Sequence, residues 1–131
     1  MKTKVKLPPL SPNEVHQVKW FINFYGSIPN KNWCTDNYHI GSKTGCAIGH
    51  IAHVSEDYDL DKYHQIINLL YPVYLLRYYK KQSVEKPDDA GENVVTSIND
   101  SVDLFGFLGK TPKTRILNAL KARLKGYVYK K

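Results

Sequence analysis

Apolar residues recur at helical spacing in several stretches of this chain, separated by polar or glycine-rich punctuation. Val15, Val18, Ile22 and Tyr25 form the first stripe, three or four residues apart, as one face of an α-helix requires. Ser11-Pro12-Asn13-Glu14 opens that helix: Ser11 can cap, Pro12 sits where a missing N–H costs nothing, and Glu14 completes a capping box. Gly26 is placed to end it. A longer stripe of Tyr63, Ile67, Leu70, Tyr74 and Tyr78 predicts a helix from Leu60 to about Lys81, which Pro72 must kink or split. Asp89-Ala90-Gly91-Glu92 repeats the capping-box logic ahead of a short helix through Ile98. Thr111-Pro112 opens a last helix in which Ile116, Leu117, Leu120 and Leu124 face inward until Gly126 stops it.

The intervening segments read differently. Residues 1–10 are expected to form an extended arm, kept out of a helix by Pro8 and Pro9. Ser27 to Gly45 lacks periodicity and reads as irregular chain or a short hairpin, anchored to the core by Trp33, Tyr38 and Ile40. Cys46 to Val54 is a short helix, Gln82 to Asp88 a polar loop, and Ser101 to Lys110 a glycine-punctuated aromatic stretch. A mainly α fold is expected: a single compact domain of about five helices over residues 11–131, with a short β-ribbon as an option at residues 27–45.

Composition narrows the class. With 131 residues, 42% hydrophobic and 24% charged, the chain is ordinary globular protein, able to bury a core without a disulfide or metal staple. Cys34 and Cys46 are too few for a disulfide scaffold, and a bridge between them needs an oxidising setting. The basic N-terminus has no apolar run followed by a small-residue cleavage site. Ile66 to Leu76, the most apolar stretch, is about half the length of a membrane helix. A soluble cytoplasmic protein without membrane contact is therefore expected. Abundant Lys, Asn, Ile and Tyr beside scarce Arg and Ala are what AT-rich codons favour, which suggests a low-GC bacterium or its phage as the source.

The net charge of +7 is unevenly spread. From Leu104 onward there is no acid, while Lys110, Lys113, Arg115, Lys121, Arg123, Lys125, Lys130 and Lys131 are basic. Glu56, Asp57, Asp59 and Asp61 form one acidic cluster, and Glu85 to Asp103 holds another. The asymmetry means either an anionic partner or attraction between two parts of the fold. Lys110, Lys113 and Arg115 surround a helix N-terminus, where each cation opposes the macrodipole at a cost of a few tenths of a kcal/mol. An anion bound there, with Thr111 contributing its hydroxyl, would relieve the conflict. The full Gly-x-x-x-x-Gly-Lys-Thr spacing is missing, so this is no nucleotide-binding P-loop. Tyr127 and Tyr129 among Lys125, Lys130 and Lys131 would add stacking if the ligand were nucleic acid, although no nucleic-acid-binding fold signature is present.

A second constellation surrounds Cys46. On a helix, Cys46, Gly49, His50 and His53 fall on one side, and Ala47, Ile48, Ile51 and Ala52 on the other, so the apolar side packs inward and a Cys/His/His stripe faces something else. Zinc is one reading, with Cys34 or His39 completing a tetrahedral set, though no familiar zinc spacing is present. A nucleophile is another. A thiol at a helix start is biased toward thiolate, His50 lies one turn on as its base, and Asn99 or Asp100 could orient the histidine. The third is structural, with a buried apolar Cys46, Gly49 as a close-packing point, and Asn99-Asp100 as a helix-end cap.

Trp33, the run Cys46-Ala47-Ile48-Gly49, Ile98-Asn99-Asp100 and a final Thr-Pro-initiated helix give residues 12–124 a resemblance. The chain resembles a family of small bacterial and phage proteins carrying a Trp segment, a Cys-Ala-Leu-Gly-Ala-Leu run and a later Asn-Asp, a domain of unknown function. The resemblance implies that Trp33, Cys46, Gly49, Asn99 and Asp100 belong to a shared framework, and it brings no activity with it. His50 stands where the family has alanine, which weakens a metal or catalytic role for His50. Taken together, the expectation is a non-catalytic binding or regulatory protein without cofactor or metal. Its basic C-terminal region engages an anionic partner, an acidic protein surface or a phosphate-bearing ligand, through Lys110, Thr111, Lys113 and Arg115. Trp33, His50 and His53 are further candidate contacts. The alternatives are a cysteine-dependent hydrolase using Cys46 and a nucleic-acid-binding protein.

Overall fold

Local capping chemistry sets the first helix. In the computed structural model, which describes residues 3–41, 43–52, 59–70, 87–100 and 108–130, α1 spans Pro12–Gly26. The Ser11 hydroxyl accepts the Glu14 N–H at 3.2 Å, and the Glu14 carboxylate accepts the Ser11 N–H at 3.1 Å. That closes the capping box and satisfies two of the donors orphaned at a helix start. A β-strand, β1 (Thr3–Lys6), precedes the helix. After it come a single 3-10 turn (Asn30–Asn32) and a two-stranded ribbon of β2 (His39–Ile40) and β3 (Thr44–Gly45). The helices α2 (Ala47–Ala52), α3 (Leu60–Leu70), α4 (Pro87–Asp100) and α5 (Pro112–Leu124) come next, and β4 (Tyr127–Lys130) ends the described chain. The fold is mainly α, with five helices among the described residues.

α5 is the hub. It packs on α1, α3 and α4, and α2 fills the remaining side. Val18, Phe21 and Tyr25 of α1, Ile48 of α2, Ile66 and Leu69 of α3, Val95 of α4, and Ile116 and Leu120 of α5 are all buried in one cluster. Each such side chain contributes roughly 1.5–3 kcal/mol through removal from water. Lys62 of α3 lays its ammonium 3.8 Å above the ring of Trp20, which itself stacks on Phe24.

Several expectations are corrected. The extended N-terminal arm also has an unforeseen partner: β1 pairs antiparallel with β4, from Thr3↔Lys130 to Lys6↔Tyr127, and Leu7 N–H donates to the Gly126 carbonyl at 2.8 Å. Gly126, at φ +96°, supplies the left-handed turn that reverses the chain out of α5 into β4. The helix expected from Asp89 through Ile98 begins at Pro87 and continues to Asp100, placing Asn99 and Asp100 in its last turn. Tyr38 (45% exposed), Ile40 (56%) and Leu124 (38%) do not anchor the core. In α1, Phe21 takes the central inward position, with Ile22 only partly buried. The helix expected from Leu60 to Lys81 is described to Leu70, and Pro72, Tyr74 and Tyr78 lie outside the described residues.

Candidate functional site

Asn99 joins three pieces of chain that are remote in sequence. It is fully buried at the end of α4. Its Oδ1 accepts the Ala47 N–H at 3.0 Å, and its Nδ2 donates to the Cys34 carbonyl at 2.9 Å and to Asp100 Oδ1 at 2.7 Å. The start of α2, the Trp33–Cys34 segment and the end of α4 are thereby fixed together. Trp33 also forms an isolated parallel bridge with Gly45, and Cys34 N–H donates to the Gly45 carbonyl at 3.1 Å. Asp36, whose φ of +63° is tolerated by a short polar side chain, turns its N–H onto Asp100 Oδ2 at 3.2 Å. Between these elements lies a cavity of about 370 Å³ lined by Asp36, Asn37, Tyr38, Cys46, Thr96 and Asp100.

α2 is buried on both sides, because the loop from Trp33 to Ile40 covers the face expected to look outward. Cys46, Gly49 and His50 are as inaccessible as Ala47, Ile48 and Ile51. The Tyr38 carbonyl accepts the Cys46 N–H at 3.1 Å, and a Cβ built on Gly49 would overlap that same carbonyl oxygen. Only glycine admits so close an approach. The Tyr38 hydroxyl and the Tyr63 hydroxyl, the latter at 2.6 Å, both donate to the Glu92 carboxylate, which holds the loop against α3 and α4.

The expected Cys46–His50 pair is not formed. The Cys46 sulfur accepts the Gly49 N–H at 3.3 Å, capping its own helix. His50 Nε2 lies 2.8 Å from the Asn32 carbonyl, and the ring meets Trp33 edge-on at 5.3 Å. Burial pushes the Cys46 thiol above its ordinary pKa; the Gly49 and Ile48 N–H groups pull the other way, and the charges of Cys34 and Asp100 push it further up. Desolvation therefore outweighs the helix start, and thiolate is disfavoured. Burial likewise holds His50 below the usual histidine range, against the opposing pull of the Asn32 and Gly45 carbonyls. Asn99 and Asp100 are bonded to Ala47, Cys34 and Asp36 rather than orienting a histidine. Trp33 is buried, with its ring packed against Tyr25 and His50. His53 lies outside the described residues.

The basic end divides into internal arginines and external lysines. Thr111 caps α5, its hydroxyl accepting the Thr114 N–H at 3.2 Å. Arg115, 5% exposed, donates from Nε to the carbonyls of Ile98 (2.9 Å) and Asn99 (3.2 Å). Its Nη2 donates to Asn99 O at 2.6 Å, and its Nη1 to Gly109 O at 3.1 Å. The Ile98 and Asn99 carbonyls belong to the last turn of α4, and a guanidinium there answers the negative end of the helix. Burial lowers the Arg115 pKa and Asp100 raises it again. Two turns on, Arg123 donates to the Leu69 carbonyl at 2.9 Å near the end of α3, with Glu14 Oε2 at 4.0 Å from its Nη2. Arg115 is thus an internal cap, which corrects its reading as a ligand contact. Lys110, Lys121 and Lys125 are exposed and Lys113 half-buried, and none of the four forms an ion pair with a described acid.

No known protein family, curated protein or solved structure matches the chain. Its chemistry must be read from its own geometry. Among the described residues, no three His, Cys, Asp or Glu side chains gather where a metal ion could be held. No helix of the described residues is long and apolar enough to cross a membrane. Trp33, Cys46, Gly49, Asn99 and Asp100 lie around the junction of the Trp33 loop, α2 and α4. Asp36, Asn37 and Thr96 of the cavity wall carried no sequence signal. Arg115 and Arg123 did: with Ala119 they stand at spacing i, i+4, i+8 beside the apolar stripe, which marks cations turned inward.

Proposed function

We propose that this is a cytoplasmic, non-catalytic binding protein whose lysine-rich C-terminal face engages an anionic partner, an acidic protein surface or a phosphate-bearing ligand. One observation carries the proposal. The two arginines of α5 are committed to helix ends inside the fold, whereas Lys110, Lys113, Lys121 and Lys125 surround the same helix without a described acidic neighbour. These lysines form no ion pair with a described acid, and they lie on a segment that has no acid from Leu104 onward. A surface of one sign raises the local concentration of counter-charged partners and speeds their capture. Catalysis finds little support in the geometry, since burial favours the protonated Cys46 thiol, its sulfur forms no hydrogen bond with a described histidine, and Asn99 is locked into structural bonds.

The test compares wild type with a Lys110→Glu/Lys113→Glu/Lys121→Glu variant on two immobilised probes, polyphosphate and polyglutamate, over a salt gradient. Wild type should be retained on at least one and released as salt rises, while the variant, folded by circular dichroism, should pass through. Equal elution of the two proteins overturns the proposal.

A further inference from the structure

Cys34 and Cys46 lie outside the lysine face and are set up for a different chemistry, one that is independent of any anionic partner. The isolated Trp33↔Gly45 bridge is parallel, and Cys34 and Cys46 are the residues that follow it on the two chains. Bridged chains lie about 4.8 Å apart at Trp33 and Gly45, and one residue further on Cys34 is still near enough for its charge to act on Cys46, so a disulfide, which spans roughly 4.4–6.8 Å between Cα atoms, needs only a local adjustment. In a parallel pair, equivalent residues leave the backbone on the same side, here the side opposite Trp33. The arrangement is clamped on both chains: Cys34 N–H donates to the Gly45 carbonyl at 3.1 Å. Just beyond, the Asn99 amide inserts between the two chains, bonding the Cys34 carbonyl at 2.9 Å and the Ala47 N–H at 3.0 Å, and so fixes their relative position. Each sulfur is engaged only weakly, Cys34 donating to the Asn37 carbonyl at 3.4 Å and Cys46 accepting from Gly49 at 3.3 Å. The cavity lined by Cys46, Asn37 and Asp100 gives a small solute a way in. The two thiols also share one electrostatic environment, each pushed up by burial and by Asp100, and Cys46 by Cys34 as well.

We propose that Cys34 and Cys46 form an oxidisable dithiol site that closes to an intramolecular disulfide with a small peroxide as oxidant. The Cys46 sulfur on the cavity wall attacks one peroxide oxygen. An S–O bond forms to one hydroxyl of the hydrogen peroxide, the O–O bond breaks, and the departing hydroxyl takes the thiol proton to leave as water. The Cys34 sulfur, released from Asn37 by rotation about its side chain, then attacks the Cys46 sulfenic acid. The S–S bond forms, the S–O bond breaks, and the hydroxyl leaves as a second water with the Cys34 proton. Two thiols have lost two electrons and the peroxide has gained them. Because both thiols are held protonated, the first step is slow at neutral pH and accelerates as pH rises. The product staples the Trp33–Gly45 loop to the start of α2.

The experiment uses the full chain, reduced with dithiothreitol, freed of reductant and then exposed to dilute hydrogen peroxide. Intact mass should fall by the two thiol hydrogens with no added oxygen, and non-reducing peptide mapping should recover the Cys34 and Cys46 peptides as one species. The melting temperature should rise by roughly 5–10 °C, as expected for closing a loop of this size, and fall back when dithiothreitol is restored. In Cys34→Ser, Cys46 should instead retain oxygen or form a mixed disulfide with added glutathione. Two thiols still titratable in oxidised wild type, a sulfinic or sulfonic product, or a disulfide between two chains would each overturn the proposal, and all three are read on the wild-type protein alone.

Discussion

Arg115→Ala separates the two roles a cation at this helix start can have. The guanidinium makes four hydrogen bonds at 2.6–3.2 Å to three carbonyls, those of Ile98, Asn99 and Gly109. Truncation takes the guanidinium donors away from the buried Ile98 and Asn99 carbonyls, at about 1–3 kcal/mol each. It also removes a cation that answers the end of α4, worth about 0.5–1 kcal/mol. Part of this is offset because the guanidinium no longer has to be desolvated. The net loss is about 3–4 kcal/mol, a large fraction of the 5–15 kcal/mol that holds an ordinary domain together. Urea denaturation followed by far-ultraviolet circular dichroism reads it as a shift in midpoint at unchanged slope. Arg115→Lys keeps the charge but not the planar fork, and should recover less than half of the loss. If Arg115→Ala cost under about 1 kcal/mol and instead abolished retention on polyanion, Arg115 would be a ligand contact and its role as a cap would be refuted.

Two further outcomes are expected at the junction around α2. Gly49→Ala must push α2 off the Tyr38 carbonyl and should destabilise by about 2–3 kcal/mol or more, seen as a lowered melting temperature with the Cys46 thiol newly reactive toward a disulfide reagent. His50, held below its ordinary pKa of 6.5 by burial, resists protonation in the folded state while the unfolded chain accepts a proton. Its contribution is therefore present above about pH 6.5 and lost as pH falls through that value toward the folded pKa. His50→Gln should flatten the stability profile in that acid window, and an unchanged slope would show that the ring titrates freely.

What the sequence made legible is local. Ser11 and Glu14 box the start of α1, and Thr111 caps α5 ahead of Pro112, because an N-cap needs only side chains within three residues of the N–H groups it satisfies. The turn at Gly126 is the same kind of signal. Pairings across the chain left no such trace. β1 finds β4 at the far end of the chain, and neither TKVK nor YVYK alternates strongly enough to identify its partner. The outward face assigned to Cys46, Gly49 and His50 failed for a related reason. Periodicity tells which side of α2 is less apolar, but not that the Trp33–Ile40 loop folds over that side and buries it. Tyr38 illustrates the converse: an aromatic ring expected in the core stays half in solvent because its hydroxyl is tied to Glu92. Arg115 was legible as a basic residue and illegible as a cap, since the carbonyls it serves belong to another helix.

The lysines of α5 are the point on which the functional proposal turns, and fluorescence anisotropy of labelled polyphosphate titrated with protein tests them most directly. Wild type and the Arg115→Lys variant should bind comparably when folded, and affinity should fall steeply between low and physiological salt, whereas Lys110→Glu/Lys113→Glu/Lys121→Glu should lose at least about tenfold at equal stability. Undiminished binding by the charge-reversed protein, or affinity indifferent to salt, would contradict a lysine-borne anion surface.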